Sequence, residues 1–181
     1  MPDARPRELP IPGLMILAWG IGGVLGLLAN AVVRLWPLAS APIADGSLTP
    51  TLWAIYALWI GFMAYTEGYR GFHRAFSPRV VVRALWLANH PRPHLVVLAP
   101  LMCMGLIHAT RKRKIVSWSI LLGVVGLVLA VRGLEQPWRG IIDGGVIVGL
   151  ALGTASILAH TIRAFVGSPP SMPPDVPDSA A

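Results

Sequence analysis

Glu67 is the residue of this chain that is best placed, by its chemical type and position, to bind a proton or a cation. It follows a long apolar stretch, and Arg70 stands three positions later, on the same face if the segment is an α-helix. A carboxylate at the edge of a membrane is costly unless it is paired, so an ion pair with Arg70 is one interpretation. The other is a proton- or cation-binding group whose pKa depends on how dry its surroundings are. Arg74 and His108 are further candidates near the same boundary.

Asp143 is the second carboxylate of interest. Arg139 precedes it by four residues, and Glu135 precedes Arg139 by four. This spacing predicts an exposed ladder of ion pairs on one helix face, with each pair contributing about 0.3–0.5 kcal/mol. Asp143 nevertheless stays on the list of candidate functional residues.

Imidazole and sulfur ligands raise the question of a metal or haem site. Five histidines are present, and Met102, Cys103 and Met104 come shortly before His108. However, no Cys-x-x-Cys pair occurs, and two of the histidines lie in a proline-rich loop. The sequence therefore predicts no bound cofactor and no metal. A Cu(I) site and a bis-histidine haem between His108 and His160 are minor alternatives.

Small residues recur at helical spacing in two places, which indicates close helix packing. One stripe runs beside the aromatic residues that follow the second apolar stretch, and the other lies on the last apolar stretch. The candidate packing residues are Gly61, Gly68, Gly71, Gly145, Gly149 and Gly153. Contact within the chain is the expected use, and self-association is the alternative.

The elements that must position these residues are membrane spans. Hydrophobic residues make up 55% of the chain and charged residues 13%, against about 25% charged in soluble domains. A hydrocarbon core about 30 Å thick needs roughly 20 helical residues, and four apolar stretches approach or reach that length. The predicted spans are residues 13–33, 49–66, 115–131 and 140–162. The first run is too long for the apolar part of a signal peptide, so we expect it to be retained.

Residues 95–109 form a weaker apolar stretch that contains Pro100 and Gly105. If this stretch enters and leaves on one face, twelve of the fifteen Lys and Arg lie on the cytoplasmic side and three outside. We therefore predict an all-α membrane protein of four transmembrane helices plus a short re-entrant or interfacial segment, with both termini cytoplasmic. Five transmembrane helices are the alternative.

Basic residues are concentrated between the second and third spans. Ser77 and Pro78 are typical of a helix start, so we expect a break there and a short interfacial helix over residues 78–88. Its arginines and the following basic run should form a collar that faces anionic lipids; they are Arg79, Arg83, Arg111, Lys112, Arg113 and Lys114. A specific site for a phosphorylated lipid or an anionic protein is the alternative. Nucleic acid is excluded, because these charges flank apolar spans.

The two ends of the chain are expected to lie outside the membrane domain, residues 13–166. Residues 1–12 are predicted to be a cytoplasmic segment. Residues 167–181 contain five prolines and no apolar period, so a disordered tail is expected.

Four short stretches carry a resemblance to a known family. They are Tyr65-Thr66-Glu67-Gly68-Tyr69-Arg70-Gly71-Phe72, Cys103-Met104-Gly105, His108-Ala109-Thr110-Arg111 and Gln136-Pro137-Trp138-Arg139-Gly140-Ile141. They resemble stretches of a family of small uncharacterised bacterial inner-membrane proteins, over roughly residues 50–163. The resemblance implies a bacterial inner-membrane location and assigns no role to any residue.

Two functional classes follow. The favoured one is a non-enzymatic membrane protein that packs against itself or a membrane protein partner, as an assembly or accessory subunit. The other is a small transporter or channel subunit in which Glu67 responds to protons or cations and residues 95–109 line a cavity. No nucleophile and base set typical of an enzyme is recognisable.

Overall fold

The computed structural model describes residues 9–177, whose regular elements are helices. In chain order these are α1 (Ile11–Ala44), α2 (Pro50–Met63), a π-helical segment (Ala64–Phe76), α3 (Ser77–Asn89), α4 (Pro93–Val97), α5 (Ala99–Cys103), α6 (Arg111–Val131) and α7 (Trp138–Phe165). The prediction of an all-α chain is confirmed over this range. Within it, α1, α6 and α7 are long and apolar enough to cross a membrane. Predictions for residues 1–8 and 178–181 lie outside the described part of the chain.

Helices α1 and α7 form the centre of the bundle and run antiparallel. Near the start of α7, Gly140 lies against Pro42, close to the end of α1. At the other end, Ile157 and Ala164 of α7 share a buried apolar cluster with Leu17 of α1. The first and last long helices are therefore direct neighbours along most of their length.

Pro42 explains how α1 and α7 are joined at one end. A proline inside a helix has no N–H to donate to the carbonyl four residues earlier, which here is Leu38. The Gln136 side-chain amide donates to that carbonyl at 3.1 Å, and its oxygen accepts from the backbone N–H of Gly140. Because Gly140 has no side chain, the Pro42 ring can lie against it. The Gln136 side chain thus bridges α1 to the first turn of α7.

Helix α2 continues without interruption through the π segment into α3. The expected break at Ser77 and Pro78 is wrong, since Ser77 has helical backbone angles and its N–H donates to Phe72, five residues back. The winding changes from π to α at this point, and Pro78 stands in the first turn of α3, where a proline is tolerated. The carbonyl of His73, five residues before Pro78, lies 3.2 Å from Nε2 of His160 instead. The π segment also divides the second predicted span, which leaves α2 with only 14 residues.

The chain between α3 and α6 folds back on itself beside α1. The two five-residue helices α4 and α5 meet at Leu98, and Gly105 with φ +78° follows them. Trp19 of α1 donates to the carbonyl of Val97, and Gly20 lies against Cys103. Residues 95–109 therefore do not form one continuous helix.

Helix α6 is attached to the remainder of the described chain mainly near its start. Ser117 donates to the carbonyl of Met104, and the Trp118 indole donates to that of Leu106. Beyond these contacts almost the whole helix surface is exposed, as far as Val131 at its end.

The segment after α7 is ordered, at least as far as residue 177. Residues 167–177 belong to the tail for which composition predicts disorder; here Val176 is completely buried among Leu87, Leu95 and Met102. The N–H of Thr110 donates to the carbonyl of Asp175 at 2.8 Å. Composition predicted disorder, but a single apolar anchor and backbone hydrogen bonds fix this segment. We call residues 173–177 the C-terminal strap.

Candidate functional site

Arg83 is completely buried where α3 meets the C-terminal strap. Its Nε donates a 2.7 Å hydrogen bond to the carbonyl of Pro174. Its Nη1 and Nη2 atoms have no hydrogen-bond partner in the described chain. Gly105 makes room for this guanidinium, since a side chain there would overlap Nη1. The assignment of Arg83 to a lipid-facing collar is therefore wrong: α3 is covered on nearly every side, and Arg83 points into the protein.

Two further arginines lie near Arg83. Arg79, one turn earlier on α3, forms a 3.4 Å ion pair with Asp175 of the strap, and its Nη1 donates to the carbonyl of Ala75. Arg113, from the first turn of α6, is half-buried and repels both α3 arginines. Within residues 9–177, three guanidinium groups therefore share the carboxylate of Asp175. We call Arg79, Arg83 and Arg113 the arginine cluster.

The electrostatics of the arginine cluster reflect burial more than pairing. Burial, with the charge of Arg113, lowers the pKa of Arg83 from its ordinary value to about 10, while Asp175 acts in the opposite direction. Arg83 consequently remains charged at neutral pH. A buried charge that keeps unpaired hydrogen-bond donors costs stability and attracts anions.

The other members of the predicted collar remain at the surface. Arg111, Lys112 and Lys114 are exposed on the first turn of α6. The predicted collar is thus divided into three exposed cations and the arginine cluster.

Glu67 and Arg70 do not form the predicted ion pair; both side chains are exposed, and no salt bridge joins them in the described chain. The reason is the π winding of residues 64–76. Bonding from residue i to i+5 places more residues in each turn, so positions three apart no longer share a face. Glu67 packs instead through its Cβ against Gly149, near the midpoint of α7.

The π winding also rearranges the aromatic residues. Tyr65 stacks on Tyr69, Tyr69 on His73, and His73 on His160 of α7. The guanidinium of Arg74 lies 5.9 Å from the centre of the Tyr69 ring. The candidate Arg74 is therefore part of an aromatic ladder rather than of a carboxylate site.

Asp143 is 6% exposed, so the expected solvent-exposed ladder is wrong at this position. Its Oδ2 lies 3.8 Å from Nε of Arg139, which is the only part of the predicted ladder that forms as an ion pair in the described residues. The reason is that α7 turns this face towards α1 and α2 rather than towards water.

The histidines do not converge on a ligand site. His108 has φ +44° and its ring lies 5.6 Å from that of Trp86. His73 and Ser156 are hydrogen-bonded at 3.0 Å, and His160 contacts the backbone of His73. Among the described residues no group of three or more His, Cys, Asp or Glu could hold a metal ion.

The glycines of α7 lie in close contacts within the chain. Gly145 contacts Trp59, Gly149 contacts Glu67, and Gly153 contacts Phe72. On the other stripe, Gly68 contacts Leu152, but no side chain from another helix lies against Gly61 or Gly71. The small residues of α7 thus serve the bundle itself.

Sequence reasoning missed Gln136 and Asp175, two polar side chains that connect distant segments of the chain. For Gln136 a signal existed, since Pro42 leaves the Leu38 carbonyl in need of a donor. For Asp175 the only signal was an acidic residue in a tail that follows a strongly basic region.

Comparison of the chain with models of protein families, with curated proteins and with solved structures gives no match. The class of this protein therefore rests on its fold. The described residues form a helical bundle in which three apolar helices are long enough to cross a membrane. The resemblance to small bacterial inner-membrane proteins remains a prediction.

Proposed function

We propose that this chain is a non-enzymatic, multi-pass protein of the bacterial inner membrane that works as an assembly subunit. In this proposal it crosses the bilayer four times, through α1, through α2 with the π segment, through α6 and through α7. Residues 95–109 are re-entrant, and both termini and the exposed cations Arg111, Lys112 and Lys114 face anionic lipid at the cytoplasmic side. The reversal of the chain at Leu98 and Gly105 supports this path.

The observation that carries the proposal is the isolation of α6. A helix that is apolar all round and has few neighbours is suited to lipid or to another membrane helix. Small residues follow one face of it at four- and three-residue spacing: Ser119, Gly123, Gly126 and Ala130, all exposed. Nothing from the described chain lies within 4 Å of the space beside Gly123 or Gly126. Lipid needs no such smooth face, whereas a second helix does.

We assign this face to a second copy of the chain. A face of small residues is complementary to itself, so two α6 helices can approach closely about a twofold axis. The glycines of α7 are already used within the bundle, whereas Gly123 and Gly126 of α6 have nothing from the described chain beside them.

Cysteine cross-linking in native membranes tests the assembly. In a Cys103→Ala background, Ser119→Cys lies on the small-residue face and Val128→Cys on the opposite face of α6. We expect a disulfide-linked dimer from Ser119→Cys only. Gly126→Leu should abolish this dimer, while Gly26→Leu, an open glycine on α1, should leave it unchanged. Equal cross-linking from both faces, or none from either, would contradict the proposal.

A transporter or channel subunit is the second candidate, because Glu67 is an exposed carboxylate beside the middle of α7. Such a role needs a polar path to the carboxylate. One groove of about 450 Å³ lies at the end of α7 beside His160 and Arg163, and another lies between Ile55 and Phe62. Neither includes Glu67, and the close contacts of Gly149 and Gly153 favour the assembly role.

A further inference from the structure

Among the residues that the structure describes, positive charges outnumber negative ones around the C-terminal strap. The arginine cluster brings three guanidinium groups together, and Asp175 supplies one carboxylate. The pair that does form is the one between Arg79 and Asp175, at the edge of the site. The completely buried member, Arg83, receives only a backbone carbonyl, at one of its three nitrogens.

A purely structural role does not account for Arg83. Replacing a buried, incompletely paired charge by an apolar side chain of similar size is often neutral or stabilising. The backbone beside Arg83 also leaves room for the guanidinium. Gly105 adopts φ +78°, and Nη1 of Arg83 occupies the space that a side chain at position 105 would fill. A guanidinium with free donors, beside two others, suits the oxygens of a phosphate group, which accept paired N–H bonds.

The strap is the element that covers this arrangement. Its carbonyl at Pro174 and its carboxylate at Asp175 occupy the positions where an anion's oxygens would be bound. The side chains of Arg79 and Asp175 are 26% and 28% exposed, so this edge opens to the surroundings. Asp175 has φ +52°, a conformation that is uncommon for a residue other than glycine. The side chain of Val176, buried in an apolar cluster, helps to hold the strap down.

We propose that the arginine cluster is a binding site for a phosphate monoester, and that Asp175 of the C-terminal strap occupies it until the anion displaces the strap. The phosphate carries more charge than the carboxylate and offers three oxygens to three guanidinium groups. It could belong to a free anion or to a lipid headgroup such as that of phosphatidic acid.

Affinity should then depend on how often the strap is released. When only a fraction of the molecules is open, the apparent dissociation constant exceeds the intrinsic one by the inverse of that fraction. Val176→Ser removes the apolar anchor without adding a charge beside the arginine cluster, and Asp175→Asn removes the competing charge. We expect each to raise the apparent affinity about tenfold.

Binding is measured with the full chain in nanodiscs, with inorganic phosphate added in solution as one probe and phosphatidic acid in the bilayer as the other. Phosphatidylserine, a headgroup anion without a phosphate monoester, is the lipid control. Arg83→Met should abolish binding and also the gain in affinity from Val176→Ser. Lys112→Gln, which removes an exposed cation outside the site, should leave the affinity unchanged. A gain confined to phosphatidic acid identifies a headgroup site, and a gain with inorganic phosphate identifies a soluble anion.

Thermal unfolding of the same variants separates binding from structure. We expect Arg83→Met to fold and to melt at or above the wild-type temperature, because it relieves a buried charge. A large loss of stability in Arg83→Met would assign Arg83 to structure and overturn the proposal. So would equal binding of phosphatidic acid and phosphatidylserine, or affinities unchanged by Val176→Ser and Asp175→Asn. None of these outcomes depends on the α6 contact, which is tested by cross-linking.

Discussion

Gln136 donates a 3.1 Å hydrogen bond to the carbonyl of Leu38, a residue 98 positions earlier in the chain. This carbonyl is available because Pro42 lacks the N–H that would otherwise occupy it. A proline that weakens α1 locally therefore creates the acceptor that connects α1 to α7. The same amide also satisfies the N–H of Gly140 in the first turn of α7.

Replacing Gln136 by alanine should lower stability by about 1–2 kcal/mol, because the Leu38 carbonyl and the Gly140 N–H both lose a partner. The effect should be smaller in a Pro42→Ala background, where the helix can supply the missing N–H itself. The measurement is a double-mutant cycle of thermal unfolding in detergent. Strictly additive effects of the two substitutions would show that the bridge does not depend on Pro42.

Gly153→Leu should destabilise the bundle, because the new side chain would overlap the Phe72 ring. Overpacking of this kind costs about 1–3 kcal/mol. Gly26→Leu, where nothing lies within 4 Å, is the matched control and should melt near the wild-type temperature. The readout is melting temperature in one detergent; similar losses at both positions would point to a general intolerance of leucine at glycine positions.

The proposed four-span path predicts which loops share a compartment. Single cysteines at Pro91 and Lys112, in a Cys103→Ala background, should react alike with a membrane-impermeant thiol reagent in intact cells or inverted vesicles. Cysteines at Gly46 and Glu135 should form the opposite class. Opposite labelling of Pro91 and Lys112 would establish residues 95–109 as a fifth span.

Glu67→Gln should change stability little, because the carboxylate is exposed and makes no ion pair with Arg70. We expect normal expression, an unchanged melting temperature and no change in ion or proton leak through proteoliposomes between about pH 5 and 8. Loss of a pH-dependent flux on this substitution, with stability preserved, would instead establish the transporter role.

The all-α fold class and the positions of the long apolar helices were predictable, because both follow from the length of the hydrophobic stretches in the sequence. The glycine faces of α7 were predictable as packing surfaces, since small residues at helical spacing have few other uses in a membrane helix. The positions of Arg83 and Asp143 were not, because burial of a charge depends on which helix covers it, and that is a tertiary property. The predicted pairing of Glu67 with Arg70 assumed an α-helix with 3.6 residues per turn. These residues lie instead in a π segment of 13 residues, which no pattern in a single sequence predicts.

The antiparallel contact of α1 with α7 also constrains how the protein can be made. A translating ribosome delivers α1 to the membrane first and α7 after it, with the other described helices in between. The main neighbour of α1 is therefore absent during most of synthesis, and Leu38 must keep an unsatisfied carbonyl until Gln136 arrives. The bundle can close only after α7 is inserted, so α1 has to persist until then as an independent helix in lipid, which its 34 residues allow.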